Sequence, residues 1–222
     1  MDGTGDLFRD FVCSLPAELA TALARDPVDR HASREELLAI AEKAFPASEH
    51  FVIVAESYST PLAIVLASAA PANLAGLILC AGFASSPIVG WRRPLARLAA
   101  RAVFHLPLPR FVIRQRLLGS NAPRDLVHTV RAVLERVSPT VLAARLRDVL
   151  QCDVRSELAR VAVPILYLEA FQNRLLPKSA LDEILRIRPE LKVVKINAPH
   201  LLLQREPGVA ASAIADFVGS LG

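Results

Sequence analysis

The chain has 222 residues, 53% of them hydrophobic, a net charge of +4 and a mean hydropathy of +0.37. That length suits one domain, or one domain carrying an insertion, and is enough to bury a substantial core. No run of about 18 apolar residues is free of charges and turn formers, which excludes a predicted membrane helix. The opening MDGTGDLFRDF has neither the basic nor the apolar region of a signal peptide, so a cytoplasmic location is expected.

The elements follow in chain order. LATALARDP (19–27) is a candidate strand, although alanine favours strands poorly. SREELLAIAEKAFP (33–46) is a predicted helix, because Ser33 with Glu36 three residues on forms a capping box. HFVIVAES (50–57) and LAGLILCAG (74–82) are unbroken apolar runs of strand length, and the helical TPLAIVLASAAP lies between them. Apolar runs without alternation suit parallel strands covered on both faces.

From Ser85 to Leu158 the rhythm changes to short helices divided at Pro107, Pro109, Pro123 and Pro139. The strand–helix alternation then returns: VPILYLEAF (163–171) as strand, PKSALDEILRIRP (177–189) as helix, LKVVKINAPH (191–200) as strand and EPGVAASAIADFVGSL (206–221) as closing helix. The pattern predicts an α/β fold with an open, mainly parallel sheet. Its core would be residues 1–84 and 159–222, and residues 85–158 would form a helical cap or lid over the carboxyl ends of the strands.

Chemistry concentrates at one junction. In FVIVAESYSTPLAIVLA (51–67) a strand gives way abruptly to a helix, and Ser57 stands at the turn with the small residues Ala55 and Ser59 two positions to either side. One reading makes Ser57 an ordinary helix cap. The other makes it a nucleophile, because a tight strand-to-helix turn presents the hydroxyl at the ligand edge of the sheet with free helix amides behind it. A nucleophile needs a base. Of the five histidines, His200 in NAPHLLLQREP alone follows a late predicted strand and so falls on the same sheet edge.

These segments resemble the α/β-hydrolase family over nearly the whole chain. VAESYSTPLAIVLASAAPANLAGLILCAG is similar to that family's nucleophile elbow with its following helix and strand. VPILYLEAFQNRLLP is similar to the acid-bearing strand and turn, APHLLLQREP to the histidine loop, and DGTGDLF to the continuation of the oxyanion loop. The resemblance implies a serine hydrolase of carboxylic esters, with Ser57 as nucleophile, His200 as general base, and the Tyr58 amide as one oxyanion donor beside a second near Met1 or Asp2. Two departures accompany it. Asn173 stands where the family carries its acid, with Glu169 at the end of the same strand as the substitute candidate. The family's first strands also have no counterpart ahead of the oxyanion loop, so the sheet would be shortened, and its open edge makes a homo-oligomer an expectation.

A second reading, motivated by the same departures, is a hydrolase-like fold without efficient catalysis that serves as a ligand-binding or interaction module. No cofactor or metal is expected: no G-x-G-x-x-G follows a strand, and Cys13, Cys80 and Cys152 show no CxxC or Cys/His spacing, which leaves them as reduced thiols. Seven arginines and no acid lie between Arg92 and Arg116, with Arg93, Arg97 and Arg101 on one helical stripe. That segment is read as a cap helix with a solvated face in preference to a membrane-surface helix, and without interleaved aromatics it does not suggest nucleic acid.

Overall fold

A computed structural model describes residues 2–88, 90, 104 and 109–222. Met1 and the arginine stripe of Arg93, Arg97 and Arg101 lie outside the described residues. Helix α1 (Arg9–Ser14) leads into an exposed extended stretch. Helix α2 (Arg34–Glu42) follows, and its start is capped as the sequence predicts, with the Ser33 hydroxyl accepting from the Glu36 amide at 3.2 Å.

Among the described residues four strands build the sheet: β1 (Phe51–Glu56), β2 (Leu74–Cys80), β3 (Ile165–Ala170) and β4 (Lys192–Ile196). They lie in the order β1-β2-β3-β4, every pair parallel. Helix α3 (Thr60–Ser68) joins β1 to β2, with Pro61 in its first turn where a missing N–H costs nothing. Between β2 and β3 the described residues include the π-helix Ile113–Leu118, α4 (Arg124–Glu135), α5 (Pro139–Gln151) and α6 (Arg155–Arg160). Then α7 (Ser179–Ile187) connects β3 to β4, and a short α8 (Leu202–Arg205) precedes α9 (Pro207–Gly219). None of the helices among the described residues is long and apolar enough to cross a membrane.

Strand pleating sorts the apolar runs onto two faces. Leu77, Leu79, Ile165 and Tyr167 pack with Ile64 of α3, Leu158 of α6 and Ile184 of α7. Ile78, Cys80, Leu166, Leu168 and Ile196 face the other way, onto Phe11 of α1 and Ile214 and Phe217 of α9. At β2 and β3 both faces are covered, which is why these strands show no polar alternation in the sequence, whereas β4 exposes Lys192 and Lys195.

One expected strand is absent. Residues 19–27 do not pair with β1. Their hydrogen bonds go to the turn around residues 3–6, where the Asp26 amide donates to the Gly3 carbonyl at 2.8 Å and Arg25 reaches the Thr4 carbonyl and Asp6. The stretch is mostly exposed and short of β-branched residues, so nothing favours laying it on a sheet. Among the described residues, β1 therefore pairs with a strand on one side only.

Candidate active site

The carboxyl ends of β1, β3 and β4 bring three predicted site residues to one edge of the sheet. Ser57 follows β1 directly and adopts φ = 56°, a left-handed conformation unfavourable for a residue with a side chain. A helical turn, Ser57–Ser59, runs on into α3. The strain is held by the surroundings. Thr60, fully buried, donates from its hydroxyl to the Ser57 carbonyl at 2.7 Å and accepts from the Phe83 amide at 3.2 Å. Gly82, at the end of β2, permits that contact, because a Cβ there would lie 2.7 Å from Thr60 Cγ2.

The Ser57 hydroxyl lies 2.7 Å from Nε2 of His200. His200 is 1% exposed, and burial pushes its imidazole pKa down to about 3, so the ring is neutral at physiological pH. With the ring proton on Nδ1, Nε2 is positioned to accept from the serine hydroxyl. Nδ1 itself is buried with no hydrogen-bond partner among the described residues.

Neither candidate acid meets Nδ1. The side-chain oxygen of Asn173 accepts from the Leu175 and Leu176 amides at 2.9 and 3.1 Å, forming an Asx turn behind β3. Glu169, opposite Lys195 in the β3–β4 register, makes no hydrogen bond to His200. Among the described residues, then, no protein group selects the His200 tautomer.

For the oxyanion, the Tyr58 amide is the first N–H beyond Ser57 and heads a helical run, where opening amides have no intrahelical acceptor. Asp2 lies on the wall of the same cavity, with its carboxylate accepting from the Thr4 amide and hydroxyl at 3.0 and 2.7 Å.

That cavity, about 550 Å³, is bordered by Ser57, Tyr58 and His200. Most of the remaining wall is apolar, with Phe8 and Leu62 from the core and Leu117, Val130, Leu134 and Leu142 from the helices between β2 and β3. Among the described residues no group of three His, Cys, Asp or Glu side chains is arranged to hold a metal ion.

Two features escaped the sequence reading. The Tyr58 hydroxyl donates to Asp148 at 3.1 Å while Arg145, 3% exposed, lies over the Tyr58 ring and pairs with Asp26 at 3.7 Å. Glu56, 7% exposed, is a buried carboxylate adjoining Ser57. It accepts from the Leu203 amide at 3.1 Å and Gln204 Nε2 at 3.0 Å, and caps the turn at Ser59. The only sequence signal for it was an acid ending an apolar strand.

No protein-family model and no curated protein sequence matches the chain. Solved structures do. A hydrolase from Oleispira antarctica superposes with a TM-score of 0.81 at 11% identity, covering 99% of this chain and 88% of that one. A thermophilic esterase from Thermogutta terrifontis gives 0.71 at 22% identity, over 88% and 75%. A lipase-esterase related protein from Clostridium acetobutylicum gives 0.71 at 13% identity, over 97% and 91%. The chain has the α/β-hydrolase fold, with four parallel strands among the described residues.

Proposed function

We propose that this protein is a serine hydrolase acting on carboxylic esters. The observation that carries the reading is the 2.7 Å contact between Ser57 Oγ and His200 Nε2, made at a strand-to-helix turn whose serine is held at φ = 56°. Strain of that kind is kept where it aims a group.

In this mechanism the Ser57 oxygen attacks the ester carbonyl carbon while its proton passes to Nε2 of His200. The tetrahedral oxyanion is held by the Tyr58 amide and by a second donor from the Asp2 end of the chain. The imidazolium then protonates the departing alkoxide, which leaves Ser57 acylated. Water, deprotonated by the same nitrogen, hydrolyses the acyl-enzyme and restores the hydroxyl. The apolar wall favours a small or medium acyl group, and the helices between β2 and β3 act as the cap that excludes water from it.

One observation favours a second reading, a hydrolase-fold protein with impaired catalysis that serves as a binding module. Among the described residues His200 Nδ1 has no partner, so the imidazolium formed during attack has no fixed counter-charge. A fluorophosphonate probe separates the two. Labelling at Ser57 that disappears in Ser57→Ala, with turnover of p-nitrophenyl esters, supports the hydrolase; no labelling and no turnover leaves the binding module.

A further inference from the structure

The carboxylate of Glu56 connects the two halves of the candidate site. Through the backbone it adjoins Ser57. Through its side chain it caps the Ser57–Ser59 turn at Ser59 and holds the Leu203 amide at 3.1 Å and the Gln204 amide nitrogen at 3.0 Å. Leu203 and Gln204 belong to α8, which begins two residues after His200. A further fastening of this loop is the Leu201 amide, which donates to the Leu117 carbonyl at 3.0 Å. All three groups facing Glu56 are N–H donors, so its carboxylate, once ionised, accepts from all of them, whereas an amide keeps a single acceptor oxygen and needs Gln204 to turn its unpartnered Oε1 toward the new N–H₂.

We infer that Glu56 is a positioning residue: its carboxylate locks the His200 loop against the Ser57 turn and sets the Ser57–His200 contact. The catalytic consequence rests on the esterase reading above; the geometric one does not. Glu56 has a strictly structural alternative, a buried carboxylate that holds the fold together and leaves site geometry unaffected. The two differ in what happens at each correctly folded site.

In Glu56→Gln a single amide oxygen is left for the Leu203 and Ser59 N–H groups, and the N–H₂ is met only by a flipped Gln204, so the fastening between loop and turn weakens. The swap Glu56→Gln with Gln204→Glu returns the charge to the cluster: the amide nitrogen now at position 56 donates to the carboxylate at position 204, and the amide oxygen remains for the Leu203 and Ser59 N–H groups. Two readouts are used. Imidazole ¹⁵N spectra, with His200 identified by its loss in His200→Asn, show whether Nε2 carries a Ser57-dependent hydrogen-bond shift. Turnover of p-nitrophenyl butyrate is expressed per site titrated by fluorophosphonate.

The expected result is loss of the His200 shift in Glu56→Gln, a fall in kcat per titrated site of at least about tenfold with KM little changed, and partial recovery of both in the swap. Retention of the shift and of per-site kcat in folded Glu56→Gln overturns the inference, even if the variant melts earlier. If Glu56→Gln does not fold, the swap and Glu56→Asp decide, and folded swap protein lacking the shift also overturns it. Absence of fluorophosphonate labelling in the wild type counts against the esterase reading alone, because the spectra still read the Ser57–His200 contact.

Discussion

Ser57 and His200 stand 143 residues apart in the chain, yet their side chains meet at 2.7 Å because each directly follows the carboxyl end of a parallel strand or its exit loop. Parallel β-strands put all such exits on one edge. If the pair performs the proposed chemistry, removing the base should lower kcat far more than it raises KM. His200→Asn is expected to cost about two to four orders of magnitude in kcat, the range for a positioned general base. Steady-state kinetics check it, and an unchanged kcat would remove His200 from the mechanism.

The left-handed backbone at Ser57 predicts a difference between two inactive variants. Ser57→Ala keeps a Cβ at φ = 56°, whereas Ser57→Gly removes it. Ser57→Gly should therefore be the more stable by about 1 kcal/mol, measured by urea unfolding. Equal stabilities would mean that the turn relaxes when the hydroxyl is gone.

At position 173 the expected change is a gain. The Asn173 oxygen already takes the Leu175 and Leu176 amides. In Asn173→Asp one carboxylate oxygen keeps those bonds and the other becomes a free acceptor in place of the amide N–H₂. The substitution should raise esterase kcat by about tenfold or more, since the reverse change costs a serine protease about four orders of magnitude. A flat response would point to the oxyanion side of the site as the limiting part.

Thr60 supplies an acceptor for the Phe83 amide and a donor for the Ser57 carbonyl, both in the interior. Thr60→Val keeps the volume but orphans the Phe83 amide, whereas the Ser57 carbonyl still accepts from the backbone N–H of residue 60. A loss of about 1–3 kcal/mol is expected for the orphaned amide, together with lower activity. Differential unfolding by denaturant provides the measurement.

Two buried groups tilt stability against pH in opposite directions. His200 is depressed to about 3 from 6.5, so the unfolded chain binds its proton more readily, and stability is lost as pH falls through that window. Glu56 is raised to about 7 from 4.5, chiefly by burial against the pull of the Leu203 and Gln204 bonds, so the folded chain keeps its proton longer. Its contribution is lost as pH rises from about 4.5 to 7. Between about pH 4.5 and 6.5 the two slopes oppose. His200→Asn removes one of them, and its stability should then fall by a few kcal/mol over that interval relative to the wild-type profile. Parallel profiles would show that His200 binds its proton equally in the folded and unfolded chain.

The sheet was legible because its strands are apolar on both faces and end at small or turn-forming residues, and the caps at Ser33 and Pro61 fixed helix starts locally. Ser57 and His200 were legible for the same reason: their place follows from strand order alone. Residues 19–27 misled because the stretch LATALARDP, rich in alanine, carries little strand preference; in the structure Leu23 is exposed. The Asn173 turn, the Tyr58–Asp148 bond and the Glu56 clamp depend on side-chain directions and on partners 90 to 148 residues away, or on local turn geometry, and sequence spacing carries no record of either.

The one-sided pairing of β1 makes the position of Ser57 a question of local cooperativity. A central strand opens only when two neighbours release it, whereas β1 is released by the loss of β2 alone. The amides of residues 51–56 should thus exchange with deuterium before those of β2 and β3, which are paired on both sides. A ligand that bridges Ser57 and the helices beyond β2 would slow them selectively, so the rate of exchange along β1 reports occupancy of the site without requiring any turnover.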